Sequence, residues 1–359
     1  AHIVRVTHCG GDRFELFNTT AFSRGRYTLQ FLWNDGSCTE LTPDTAPLSK
    51  ETVILPMGSA VDGTLLLTVK TIDTKTGRCV AEEQPIVTLA VPAAPAVKAL
   101  PVGAGVQDGR FALQRDGKLL LTADTEGTLL YRASTDNDTD VFFRRPLTPW
   151  QNQRTEVVSC KGIANGYEVV TRLTNGKGCY TVTDTYQGTD KGVLVTSVLH
   201  RERGSRTVPR FGKVFRLDEI FDTVTYFARS GESYCDMKDQ FCVQQVTCPV
   251  SAMTEPNIRP QESGNRMDCT AAALTDGQLK VTFEAVGRPF ELAVKPYTDR
   301  ALTGMKHRED EVRTGTYVTV QAFQQGIGTG SCGPAIMPEF CYELKQDCTL
   351  QFLIRVEEV

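Results

Sequence analysis

The chain has 359 residues, of which 40% are hydrophobic and 23% charged, with 39 Lys and Arg against 43 Asp and Glu for a net charge of -4. That balance excludes the broad basic field needed to hold nucleic acid or an anionic membrane, and no apolar run approaches the roughly 20 residues that span a bilayer. At about 100–200 residues per domain, the length predicts two or three domains.

The chain opens Ala1-His2-Ile3-Val4-Arg5, with no Met, charged n-region or apolar h-region. It is therefore not read as a signal peptide, and the chain is expected to be processed or cut from something longer. Strand candidates follow at once: Phe14-Glu15-Leu16-Phe17, Tyr27-Thr28-Leu29-Gln30-Phe31-Leu32-Trp33 and Leu65-Leu66-Leu67-Thr68-Val69-Lys70. They are bounded by turn signals at Asn34-Asp35-Gly36 and Asp62-Gly63, which predicts a small antiparallel sandwich. Trp33, in an alternating strand, reads as core. Residues 91–97 are Pro/Ala-rich with little to pack, and a boundary is placed there. The division is 1–95 for the sandwich, 96–106 for a linker and 107–359 for a second, larger domain.

Beyond Gly105 the strand pattern never yields to helix. Arg110-Phe111-Ala112-Leu113 meets Leu119-Leu120-Leu121 across Asp116-Gly117, a hairpin signal. Further strands are predicted at Tyr167-Glu168-Val169-Val170-Thr171, Cys179-Tyr180-Thr181-Val182-Thr183, Gly192-Val193-Leu194-Val195-Thr196, Leu279-Lys280-Val281-Thr282-Phe283 and 349–354. The one helical turn predicted starts at Thr298, which can cap it. A large two-sheet assembly fits this all-β pattern.

Twelve cysteines offer no C-x-x-C pair, and no histidine lies near Cys235, Cys242 and Cys248 to complete a metal cluster. In a chain long enough to build an apolar core they read as mostly free, partly buried thiols, which favours the cytoplasm over the periplasm. No G-x-S-x-G elbow or H-E-x-x-H helix is present, and Gly326-Ile327-Gly328-Thr329-Gly330 lacks the Lys of a phosphate loop. It reads as a turn between strands. Three segments carry more chemistry. Arg132-Ala133-Ser134-Thr135-Asp136-Asn137-Asp138 is a short-side-chain polar loop. Arg259-Pro260-Gln261-Glu262-Ser263-Gly264-Asn265-Arg266 suits either sugar hydroxyls or a buried ion-pair network in which Arg259 and Arg266 pair with Glu262. Ser331-Cys332-Gly333-Pro334 places Cys332 on a constrained loop tip.

In this order the three segments resemble the C-terminal portion of bacterial β-galactosidases of glycoside hydrolase family 2, with Pro296-Tyr297-Thr298, His307 and Pro338-Glu339-Phe340 as further matches. Asn18-Thr19-Thr20-Ala21-Phe22 and Val53-Ile54-Leu55-Pro56 resemble the immunoglobulin-like domain before it. The resemblance implies an immunoglobulin-like β-sandwich followed by a galactose-mutarotase-like β-supersandwich. It places Thr135, Asp136, Asn137, Asp138, Ser331, Cys332 and Gly333 on the rim of the sugar pocket, and makes Arg259, Gln261, Glu262, Asn265 and Arg266 a structural polar turn. Some members have an aromatic sugar platform where this chain has Cys332. Two departures stand out: Ala228-Arg229-Ser230-Gly231-Glu232-Ser233-Tyr234 is one residue shorter than the family's run, and Gln321 replaces a common Asp.

Retaining glycoside hydrolysis needs two carboxyl groups roughly 5–5.5 Å apart. The family carries both on a barrel of about 250 residues, of which this chain has no trace. The resemblance therefore implies a bacterial, catalytically inert fragment with no catalytic residue of its own. Its expected partners are the barrel of the same polypeptide, a galactoside and further subunits. No metal or cofactor is assigned here, the family's magnesium and sodium belonging to the barrel. An aldose mutarotase and a free-standing carbohydrate-binding module are the alternatives. The first lacks a matching acid/base motif, and the second would have only Trp33 and Trp150 for an aromatic platform.

Overall fold

Side chains that alternate between apolar and polar can bury one face of a strand and wet the other, and that alternation accounts for nearly every regular element here. A computed structural model describes residues 3–23, 26–138, 147–176, 178–328 and 336–359. The chain separates into two units, Ala1–Ala90 with Asp239–Gln244, and Val91–Lys238 with Gln245–Val359.

In the first unit, Val4–His8, Arg13–Asn18 and Lys50–Ile54 form one sheet, and Cys38–Leu41, Tyr27–Trp33, Leu65–Asp73 and Cys79–Thr88 form another, both antiparallel. Positions two apart point inward: Phe14 and Leu16 from one sheet meet Leu29, Phe31, Trp33, Leu67 and Val69 from the other in one buried cluster. This is the immunoglobulin-like β-sandwich expected, with Trp33 in its core. Beside this cluster Glu83 is a partly buried carboxyl. It accepts a hydrogen bond from the Val6 backbone N–H at 2.7 Å, and burial pushes its carboxyl up to about 7.

The second unit is a two-sheet assembly. Its larger sheet has ten strands and runs from the edge strand Arg154–Ile163 through Gly166–Thr174, Cys179–Thr189, Val193–Arg203 and Cys348–Glu358 to Val243–Pro249. The smaller has seven, with Phe290–Lys295, Thr316–Gln324, Arg210–Leu217 and Lys118–Leu129 side by side. Phe215, Phe283 and Phe352 pack ring to ring between the sheets at 5.7–6.3 Å, and Phe111 stacks on Tyr186 at 4.6 Å. An ion pair crosses this apolar layer: Lys213 Nζ lies 2.6 Å from Asp184 and 2.7 Å from the Thr128 hydroxyl. The predicted helical turn forms at Asp299–Gly304, with the Thr298 hydroxyl accepting from Ala301 N–H at 3.0 Å.

Residues 96–106, expected as a linker, are partly sheet. Val97–Lys98 pairs with Gly188 and Thr189, and Ala104–Gln107 pairs with Arg110–Arg115. Ladder hydrogen bonds hold them without any need for bulky side chains.

Candidate functional site

Three strands that sequence patterning missed carry the polar centre of the second unit. Arg210–Leu217, Thr316–Gln324 and Phe290–Lys295 are buried at nearly every position. One face is apolar, with Phe211, Phe215, Leu292, Val294, Val318 and Val320 in the core between the sheets. The opposite face presents Arg210, Glu291, Lys295 and Gln321, and the 260–266 segment packs over them. Gly212 leaves room on this face for the side chains of the neighbouring strand, since a Cβ there would stand 2.9 Å from Thr319 Cγ2 and 3.0 Å from Gln321 Cγ.

The resulting cluster is neutral by count, with two cations and two anions. Arg210 reaches Glu262 and Asp299 at 3.0 Å each and donates to the Gln324 side-chain oxygen at 2.6 and 2.9 Å. Lys295 Nζ bridges the same two acids, at 3.0 Å from Glu262 and 2.7 Å from Asp299. Burial by itself raises the Asp299 carboxyl, but Arg210 and Lys295 outweigh it and hold that group well below the usual carboxylate range. Burial likewise lowers the Lys295 ammonium, and Asp299 and Glu262 more than restore it. Beside the cluster, Asn265 Nδ2 donates to Glu291 at 2.7 Å while Gln321 Nε2 donates to Asn265 Oδ1 at 2.8 Å. Among the described residues no cation contacts Glu291 directly, and desolvation dominates, pushing its carboxyl up to about 7.

Within the polar turn, Glu262 pairs with Arg210 and Lys295, not with Arg259 or Arg266 as the sequence suggested. The chain turns at Gly264 (φ +87°), where a Cβ would lie 2.7 Å from the Met253 carbonyl. Beyond that turn Arg266 donates to the Tyr226 hydroxyl at 3.1 Å. Arg259 stays exposed, 3.7 Å from Asp136, and Gln261 accepts from the Asp136 N–H at 3.0 Å. The segment thus ties the 135–138 loop to the cluster.

That loop is clamped from within. Asp138 accepts from both terminal Arg132 guanidinium nitrogens, at 2.6 and 3.0 Å, and from the Thr135 backbone N–H at 2.6 Å. Thr135 and Asp138 are therefore buried, whereas Asp136 is exposed and Asn137 half-buried. Arg132 also donates to the Gly326 carbonyl at 3.2 Å, and Asn137 Nδ2 to the Gly328 carbonyl at 3.0 Å. From the other side Asp236 accepts the backbone N–H groups of Gly328 at 2.8 Å and Ile327 at 3.3 Å. Asp236 went unnoticed in the sequence, where nothing links it to a turn about ninety residues further on. Ser331, Cys332 and Gly333 lie outside the described residues.

A cavity of about 300 Å³ opens beside Asn137 and Asp138, with Trp150, Pro209, Gln325 and Cys341 among its walls. Trp150 is buried against Tyr180, ring centroids 5.5 Å apart, which makes it core. Among the described residues no group of three or more His, Cys, Asp or Glu is placed to hold a metal ion, and none of the eleven described cysteines is in a disulfide. No helix among them is long and apolar enough to cross a membrane.

The chain is 28% identical over 216 residues to a β-galactosidase of Staphylococcus xylosus, covering 58% of this chain and 22% of that one. It is 28% identical over 234 residues to a β-galactosidase of Lactobacillus delbrueckii subsp. bulgaricus, covering 63% and 23%. The chain thus spans less than a quarter of the length of these relatives. A galactose mutarotase-like protein from Lactobacillus casei superposes with a TM-score of 0.37 at 10% identity, covering 71% of this chain and 99% of that one, a likeness too distant to add to the assignment. The model of the β-galactosidase small chain matches residues 106–354. The chain belongs to the β-galactosidase small chain family.

Proposed function

We propose that this chain is the C-terminal, non-catalytic part of a bacterial β-galactosidase that hydrolyses terminal β-D-galactosides with retention. The catalytic barrel and its two glutamates lie elsewhere on the same polypeptide. In this reading residues 1–95 are the sandwich after the barrel, 107–359 the terminal domain, and the whole is cytoplasmic and makes subunit contacts. The observation that carries it is the family match over 106–354, together with relatives of which this chain's matched part covers less than a quarter. The clamped geometry supports a rim role: Arg132, Asp138 and Asp236 fix the 135–138 and 326–328 loops against each other, so Asp136 and Asn137 can meet a sugar without reorganisation. Cys332 in place of an aromatic platform implies weaker stacking on the sugar face.

Hydrolysis of a nitrophenyl β-galactoside tests this directly. The isolated 359-residue chain is expected to show no turnover, and activity that survives stringent purification overturns the proposal. In the whole polypeptide, Asn137→Ala is expected to raise KM several-fold with kcat little changed.

A further inference from the structure

A second polar feature of the same unit lies at one end of the ten-stranded sheet. Arg154 pairs with Thr174, Thr174 with Cys179, and Cys179 with Arg203, across four neighbouring antiparallel strands. Directly opposed residues share a face, with strands about 4.8 Å apart. The row therefore has long cationic side chains at its ends and two short side chains between them. A trough of about 510 Å³ lies over it, bounded by Asn152 and by Asn175, Gly176 and Gly178. Both arginines are exposed, and neither guanidinium has an ion-pair or hydrogen-bond partner among the described residues.

The other charges on this face are already engaged. Arg172 pairs with Glu156 at 3.5 Å. Glu202, the extra residue of a bulge between Cys179–Thr189 and Val193–Arg203, accepts from the Cys179 thiol at 3.1 Å and from the Thr181 hydroxyl. Two free guanidinium groups against that one carboxylate leave the trough positive. Guanidinium forks match the oxygen spacing of phosphate, sulfate and carboxylate groups and bind them in bidentate fashion, while amide and hydroxyl groups supply the remaining donors.

We propose that Arg154 and Arg203 form an oxyanion site for sulfate or phosphate, free or carried on a sugar, separate from the loop rim. Calorimetric titration of the 359-residue chain, at low ionic strength in chloride buffer, tests it with inorganic sulfate, inorganic phosphate, galactose 6-sulfate and galactose 6-phosphate. Saturable binding at a single site is expected. The double variant Arg154→Gln, Arg203→Gln should weaken it by about tenfold or more, while Arg172→Gln changes it less than about twofold. Unchanged thermal unfolding of the double variant in chloride shows that the fold is intact. Equal affinity for inorganic and sugar-borne anions identifies the free ion as the ligand, and tighter binding of the esters identifies the sugar. Absence of saturation with all four probes, or full affinity in the double variant, overturns the proposal.

Discussion

The first unit and the seven-stranded sheet of the second are both antiparallel and both exclude water, but by different means. In the sandwich the packed cluster between the sheets is apolar: Phe14, Leu16, Phe31, Trp33, Leu67 and their neighbours. On the polar face of the seven-stranded sheet it is Arg210, Lys295, Glu262 and Asp299, each at most 5% exposed and each within 3.0 Å of an opposite charge. An apolar core loses stability in proportion to the volume removed. A buried charge cluster holds only while its members remain matched, because deleting one leaves its partners charged and desolvated. The comparison teaches that burial alone does not describe a core: the sandwich is graded, the cluster closer to all-or-none.

The largest effect should come from breaking the cluster. Glu262→Ala strips one anion from both Arg210 and Lys295 and is expected to cost about 4 kcal/mol, read from the urea midpoint of the second unit. A loss below about 1 kcal/mol would show the charges to be solvated and erase the contrast. Next comes the apolar counterpart: Leu67→Ala, at a fully buried position, should cost about 3 kcal/mol in the first unit. A larger loss there than for Glu262→Ala would reverse the ranking.

The third effect is pH-dependent and isolates one member of the polar face. Glu291 stands at about 7 in the folded chain against 4.5 as an ordinary carboxyl, so folding favours its neutral form. Stability from this group is complete below pH 4.5 and is lost as pH rises through 7, by about 3 kcal/mol in all. Glu83, raised to about 7 in the first unit, has the same direction. Glu291→Gln removes the titration, so its stability should fall less than that of the native chain between pH 5 and 8, measured by urea unfolding at each pH. Its absolute stability is expected to drop, because Asn265 and the Gln324 N–H both donate to the native carboxyl and an amide offers a single acceptor oxygen. Identical pH profiles would place the titration elsewhere.

Legibility in the sequence followed the range of the interactions involved. Tyr27–Trp33 was predicted with the bounds the structure has, since its alternation and its Asn34-Asp35-Gly36 turn are local. Thr298 was recognised as a cap because its acceptor role involves a residue only three positions on. The strand Arg210–Leu217 was not recognised, because Lys213 interrupts the apolar series Phe211, Phe215 and Leu217. Its partner Asp184 is 29 positions away. The 260–266 run was singled out with two readings open, and choosing between them required the partners of Glu262, which lie 52 positions back and 33 ahead.

By itself, then, the order of residues determined the all-β class, the sandwich core, the helix cap and the family motifs, all of which rest on side-chain periodicity, turn chemistry or short runs of identity. Only the tertiary structure decided which charges meet, that Thr135 and Asp138 turn inward, and that Asp236 holds the 326–328 turn. The reason is physical: desolvation and Coulombic attraction depend on depth and separation in space, and neither quantity exists until the strands have been brought together.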